Sequence, residues 1–436
     1  MIKRFILTFA STMLIAGFAI TTAVDAHTRD RRAVRGELVS NAPDQVIAWN
    51  QELQSVLTAP GAQPASIHPT RTMAMTQIAV YDAVTGILRD GRQLVVNERG
   101  PRHASANAAA AAAARTTLDA LLPSQRPAID SFYASSLAQL GSGERVRDGL
   151  RFGSQVGNAV VAARSDDGAD ATPPVFSPSP GAGEYQLTPP AFPPAGFTQA
   201  AHVTPFVLRS AAQFRPAPPP ALTSPRYATD FAEVHALGAL NGSARSADQT
   251  AIAQFWGAAP IWIVWNQIAD DAAARHDHTL TQNARLFALL DTTLADSAVA
   301  LYDAKYTFHR WRPITAITAP DQGNPNTVAD PTWLPLAVTA NDPSYPGAHA
   351  EFSQAAATVL QDVLGTDAFS FSLTNGSVGI TRSFDSFSQA ADEASASRIF
   401  AGQHFRYDED AGQTLGGRVA DFVVDHALSP SHRHDR

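Results

Sequence analysis

The stretch Glu393–Gly412, EASASRIFAGQHFRYDEDAG, sets an arginine, a histidine and an aspartate around one glycine turn. Arg398 and His404 stand six residues apart with Gly402 between them, and Asp408 follows His404 by four. A helix that starts near His404 puts Asp408 one turn further along the same face, within reach of one ring nitrogen. Such a bond fixes the tautomer and leaves the other nitrogen free as nucleophile or metal ligand. A purely structural His–Asp pair has the same spacing, so a chemical reading needs partners elsewhere in the chain.

Two other stretches supply them. In Leu301–Ile317, LYDAKYTFHRWRPITAI, the residues Lys305, His309 and Arg312 fall at i, i+4 and i+7, one face of a helix that Pro313 ends or kinks. Cations gathered on one face repel one another unless an anion sits before them; arginine offers a planar fork for oxyanions and lysine a compact charge. A solvated basic face would look the same in this segment alone. In Asp342–Phe352, DPSYPGAHAEF, two prolines and a glycine turn the chain sharply into His349, where an alanine-rich helical pattern begins. The start of that helix presents the backbone N–H groups of Gly347 and Ala348 to an anion.

Outward from these stretches the chain reads as helix after helix. Met73, Val80, Val84 and Ile87 recur at helical spacing, Asn107–Leu122 is alanine-rich and stops before Pro123, and helical patterns continue over Ile129–Leu140 and Val146–Arg164. Prolines then crowd the chain from 166 to 225 and exclude long helices; Phe192, Phe197, Phe206 and Phe214 are spaced to pin this segment to a surface. Helices resume near Tyr227 and persist to the end, with turns over 320–331 and 343–347 and no strand repeat. The fold class is mainly α, a helical bundle. The expected organisation is one helical domain over 46–428, made of N-terminal helices 46–165, the Pro-rich loop 166–225 and an anion-site core 226–428.

With 436 residues, 45% apolar and 17% charged, the composition is that of a soluble globular protein. No cysteine is present, which excludes disulfides, thiolate metal sites and cysteine nucleophiles. A net charge of -8 argues against nucleic acid or an anionic membrane as bulk partner, so any anion site is local. The first 26 residues carry Lys3 and Arg4, an apolar run and small residues up to Ala26, the pattern of an export signal. A periplasmic or secreted protein is expected, with a loose polar segment over 27–45, a tail over 429–436 and no membrane span after signal cleavage. A homo-oligomer is compatible with all of this.

Taken in order, Lys305 to Arg312–Pro313, Pro346-Gly-Ala-His349, and Ser397–Arg398 to His404 and Asp408 resemble the superfamily that joins vanadium-dependent haloperoxidases to type 2 phosphatidic acid phosphatases and bacterial acid phosphatases. Further segments, such as RSADQTAIAQFW before Gly257, are similar to the soluble bacterial haloperoxidase-type members, and the likeness runs over roughly 45–428. The resemblance implies that His404 holds vanadate, or attacks phosphorus, with Asp408 holding its ring. Lys305, Arg312 and Arg398 would neutralise equatorial oxygens, and His349 would be the acid–base group at the apical oxygen.

The activity implied is an exported vanadate-dependent haloperoxidase that uses peroxide to oxidise halide. A periplasmic phosphomonoesterase without cofactor, and a protein that binds phosphate or vanadate without turnover, are the alternatives. The chain departs from the family at Gly347, where a serine is usual; the missing hydroxyl is a donor worth roughly 1.5–3 kcal/mol to a charged acceptor. Asp342 stands where haloperoxidases carry aromatic or basic residues, and an ionised carboxylate there would repel halide. His276 and His278, the histidines of the tail and His309 carry no required role, and Trp256, Trp262 and Trp265 read as helix packing.

Overall fold

A computed structural model describes residues 44–63, 66–320 and 323–428. The export signal and the C-terminal tail fall outside these residues. The chain opens with α1 (Gln45–Thr58), α2 (His68–Leu88), α3 (Ala106–Leu121), α4 (Arg126–Leu140) and α5 (Glu144–Ala163). After the proline-rich segment come α6 (Pro225–Gly238), α7 (Ala247–Gly257), α8 (Ile261–Arg275), α9 (Leu280–Phe308) and α10 (Pro313–Thr318). The site-bearing end comprises α11 (Ala348–Leu364), an antiparallel hairpin of β1 (Ala368–Asn375) and β2 (Ile380–Ser386), α12 (Phe387–Phe400) and α13 (Arg406–His426). The hairpin corrects the expectation of no strands. Its alternation is legible in hindsight, since Phe369, Phe371, Leu373 and Phe384 point inward while Ser370, Ser372 and Thr374 face out.

Small residues decide which helices touch. On α5, Gly149, Gly153 and Gly157 recur every fourth position, and a Cβ at Gly149 or Gly153 would lie 2.3 Å from Ser105 O or 2.1 Å from Ala109 O of the facing α3 chain. The run Ala108–Ala114 on α3 is fully buried, so the two backbones approach where neither carries bulk. The same device recurs on α13: a Cβ at Gly412 would meet Gly347 O at 2.3 Å, and one at Gly416 would meet Glu351 O at 2.1 Å. α11 and α13 are thereby locked together, and they carry His349 and Asp408.

The long helix α9 is almost wholly buried and runs through the main apolar cluster, against α2 and α11. Between α5 and α6 the chain is an irregular run of turns and bends with one 3-10 turn. Buried Asp296 of α9 holds that segment by accepting from the amides of Phe206, Val207 and Leu208 at 2.6, 2.8 and 2.8 Å. Phe197 stacks on Tyr302 at 4.5 Å and Phe214 packs against Phe422. Phe192, by contrast, is 57% exposed and pins nothing. Among the described residues no helix is long and apolar enough to cross a membrane.

Candidate oxyanion site

Lys305 lies in the last turn of α9, but Arg312 does not continue that helix. α9 ends at Phe308, and His309 caps it with a left-handed φ of 48°. Arg312 arrives from beyond the turn as the residue before α10, so the expectation of one helical face bearing Lys305, His309 and Arg312 is corrected. His309 turns its ring edge-on to Phe176. Tertiary folding, rather than helical spacing, brings the two cations together.

They meet on Asp342. Its Oδ1 is 3.1 Å from Lys305 Nζ and is also bound by the Arg312 guanidinium, with Lys305 fully buried and Asp342 6% exposed. Lys305 gives its remaining N–H groups to the carbonyls of Pro343 and Ser344, so all three ammonium donors are used. Arg312 also donates to Asp342 O at 2.8 Å, Gln403 O at 3.1 Å and His404 Nε2 at 2.9 Å. Burial pushes the Asp342 carboxyl up, but Lys305 and Arg312 outweigh it and hold it below its ordinary value. The carboxylate is therefore ionised, and it is a counter-ion to the cations rather than a loose charge near them.

His404 sits in the Gly402 turn, where Gly402 takes φ 73°. Its Nδ1 is 3.3 Å from Asp408 Oδ2, in the one-turn relation that the spacing suggested, and 3.4 Å from Ser344 Oγ. Asp408 Oδ2 accepts more closely from Ser344 Oγ at 2.6 Å and from the Phe405 amide at 2.9 Å, so it fastens the start of α13 as well as the ring. Burial, with Arg312 and Lys305 adding to it, holds the His404 pKa well below normal. Neutral His404 then accepts from Arg312 at Nε2 and carries its proton on the Asp408 side. An anion bound before these cations would reverse the Coulombic part of that shift.

His349 projects from the first turn of α11. Its Nε2 donates to Trp256 O at 3.2 Å, which puts the lone pair of the neutral ring on Nδ1. Burial and Arg398 hold its pKa well below normal. The amide of Gly347 is not available to an anion, because it donates to Asp408 O at 2.8 Å. That corrects its expected role; the amides of Ala348 and His349 open α11 and have no intrahelical carbonyl, so they are the ones left to give to an anion at the helix start. Arg398, at the end of α12, has a buried Nε with no hydrogen-bond partner, and burial lowers its pKa to about 10.

Two carboxyls next to the site escaped the sequence reading. Burial and the neighbouring Asp408 push Glu409 up to about 8, and burial pushes Glu351 well above its ordinary value, so both are acids at neutral pH. Ser344 escaped as well, although it lies inside the quoted Asp342–Phe352 stretch; nothing local marks it as the partner of Asp408.

A cavity of about 1250 Å³ leads from the surface to Ala348 and His349, lined among others by Phe197, Trp262, Tyr302 and Phe352. Trp262 lines this cavity while it packs against the main apolar cluster, as expected of a helix-packing residue. Trp256 and Trp265 are buried and donate to Glu393 and Ser353. His276 and His278 bond separately to Ala272 O and Asn283 Oδ1.

The donor set fits a tetrahedral oxyanion. A carboxylate oxygen already rests on Lys305 and Arg312, Arg398 has a buried N–H to give, the first turn of α11 has amides without intrahelical partners, and His404 Nε2 carries a lone pair now bonded to Arg312.

Comparison with known proteins agrees with this geometry. A family model described as the second helical-bundle domain of VCPO matches residues 285–432. Vanadium chloroperoxidase of Curvularia inaequalis is 27% identical over 241 residues, which are 41% of this chain and 39% of that protein, so the match spans about two-fifths of the relative's length. The crystal structure of a bacterial vanadium-dependent iodoperoxidase superimposes with a TM-score of 0.77 at 26% identity, covering 92% of this chain and all of that one. A holo-type bacterial vanadium-dependent chloroperoxidase shares the fold, with a TM-score of 0.66 at 16% identity, covering 86% of this chain and 96% of that one.

Proposed function

We propose that the chain is a vanadate-dependent haloperoxidase, a reading supported by its likeness to the second helical-bundle domain of VCPO, to a vanadium chloroperoxidase and to a bacterial vanadium-dependent iodoperoxidase. The observation that carries the reading is the convergence of Lys305, Arg312, Arg398, His349 and His404 on the buried start of α11. Vanadate, when bound, supplies Lewis-acid activation of hydrogen peroxide toward halide, with hypohalous acid and water as products.

The protein's residues have separable tasks. His404 Nε2 would hold vanadate once Arg312 swings its N–H from the ring to an oxygen, and Asp408 keeps the proton on Nδ1 so that the lone pair faces inward. Arg398 has donors to give at once, whereas Lys305 and Arg312 act on the anion while still paired with Asp342. Neutral His349 takes a proton from peroxide as it enters and returns one to the leaving oxygen through Nδ1. The cavity admits peroxide and halide to that nitrogen. Iodide and bromide, the halides easiest to oxidise, are the expected substrates.

Hydrolysis of phosphomonoesters with His404 as nucleophile is the second reading. It is favoured by Asp342, which as counter-ion cancels part of the positive charge of Lys305 and Arg312 and so weakens the pull on a halide. Export to the periplasm or medium belongs to the proposal and rests on residues 1–26. The test is purified protein with and without orthovanadate, assayed for peroxide-dependent oxidation of iodide and bromide and for p-nitrophenyl phosphate hydrolysis. Halide oxidation that requires vanadate is expected; vanadate binding with neither activity would overturn both enzymatic readings.

A further inference from the structure

The approach of α13 to the start of α11 brings Glu409 to Gly347. A Cβ on Gly347 would lie 2.3 Å from Glu409 Oε1, 2.7 Å from Cδ and 3.0 Å from Oε2, so the carboxyl fills the volume that a side chain at this position would take. Gly347 is the N-cap of α11 and has no side chain to present to the helix start. Glu409 is fully buried; its Oε1 lies 3.7 Å from His404 Nδ1, beyond hydrogen-bond distance, and its Oε2 accepts only from Ser395 Oγ, at 3.4 Å. The Arg398 Nε beside it is also buried and unpartnered. Buried polar atoms are rarely left unsatisfied, and here two lie at the same helix end without pairing with each other.

We propose that Glu409 is an oxyanion-contacting residue, whose carboxyl stands in for the absent side chain at position 347 and donates its O–H to bound vanadate or phosphate. The proposal rests on the oxyanion-site reading above and adds a residue to it. An ionised carboxylate between Asp408 and a bound anion would be repelled by both, so a carboxyl that faces the anion keeps its proton and acts as a donor. Arg398 then supplies charge and Glu409 a neutral donor at the start of α11.

Equilibrium binding of orthovanadate, and separately of inorganic phosphate, by calorimetry tests this without reference to turnover. Glu409→Gln keeps the shape and an N–H donor, and its affinity is expected within about threefold of the unaltered protein. Glu409→Ala removes the donor and is expected to weaken both anions by about tenfold or more, the scale of one hydrogen bond to a charged group. Gly347→Ser in the Glu409→Ala background returns a hydroxyl to the vacated volume and is expected to recover most of the loss. Thermal unfolding of each variant shows that binding is compared between folded proteins, and Gln serves where Ala does not fold. Ala binding as tightly as the unaltered protein, Gln losing as much as Ala, or no recovery in the double variant overturns the proposal while the site reading stands. Failure of the unaltered protein to bind either anion overturns both.

Discussion

Asp342 Oδ1 lies 3.1 Å from Lys305 Nζ in a region closed to water, so the cationic pocket carries its own counter-ion. Breaking a buried pair from one side leaves an uncompensated charge and costs about 3–5 kcal/mol. Asp342→Ala is therefore expected to lower the unfolding temperature sharply. Orthovanadate, which can take over Lys305 and Arg312, is expected to return part of that stability. Thermal unfolding with and without vanadate checks this; a variant as stable as the parent would show that the pair has no energetic role.

His404→Ala removes the ring nitrogen that accepts from Arg312 at 2.9 Å, the atom proposed to hold the oxyanion. Loss of at least a hundredfold in whichever activity the protein has is expected, with the helical circular dichroism spectrum unchanged. Retention of the full rate would remove His404 from the reaction.

Stability should fall as pH rises from about 4 to about 8. Burial, with the charge of Asp270 adding to it, pushes the Asp291 carboxyl up to about 8, against an unfolded value of about 3.9. In that window the unfolded chain has released a proton that the folded one keeps, so the sign is a loss of stability with rising pH. Asn at position 291 mimics the protonated acid and still accepts from Asn266. Urea unfolding at pH 5 and pH 8 is expected to show Asp291→Asn little changed at the lower pH and more stable than the parent at the higher.

Gly416→Ala places a methyl 2.1 Å from Glu351 O and must push α11 and α13 apart. A cost of about 1–3 kcal/mol is expected, together with weaker vanadate binding, because His349 and Asp408 ride on those two helices. Gly417→Ala, whose Cβ meets only Gln354 Cγ at 3.7 Å, is the control and should change neither. Equal effects at both positions would mean that helix propensity, not packing, is being measured.

Local chemistry made much of this legible. Periodicity and proline placement predicted the long helices, and the four-residue spacing of His404 and Asp408 predicted which side chains could meet, although His404 precedes α13 and the contact is made across the start of that helix. The hairpin over 368–386 was missed because two short strands inside a helical chain leave only a brief alternation. The glycines of α5 and α13 were also passed over, since a Gly every fourth residue identifies a contact only once the facing backbone is known.

The sequence by itself determined the helical class, the likeness to a known superfamily, and Lys305, Arg312, Arg398, His349, His404 and Asp408 as candidate groups of one site. Only the tertiary structure decided how they pair. It placed Arg312 beyond the end of α9, gave Lys305 and Arg312 to Asp342, committed the Gly347 amide to Asp408 and set Glu409 against Gly347. These contacts join residues far apart in the chain or across a turn, where no helical period carries information. Their geometry follows from how closely small-residue faces let the helices approach, and that is a property of packed pairs rather than of any one segment.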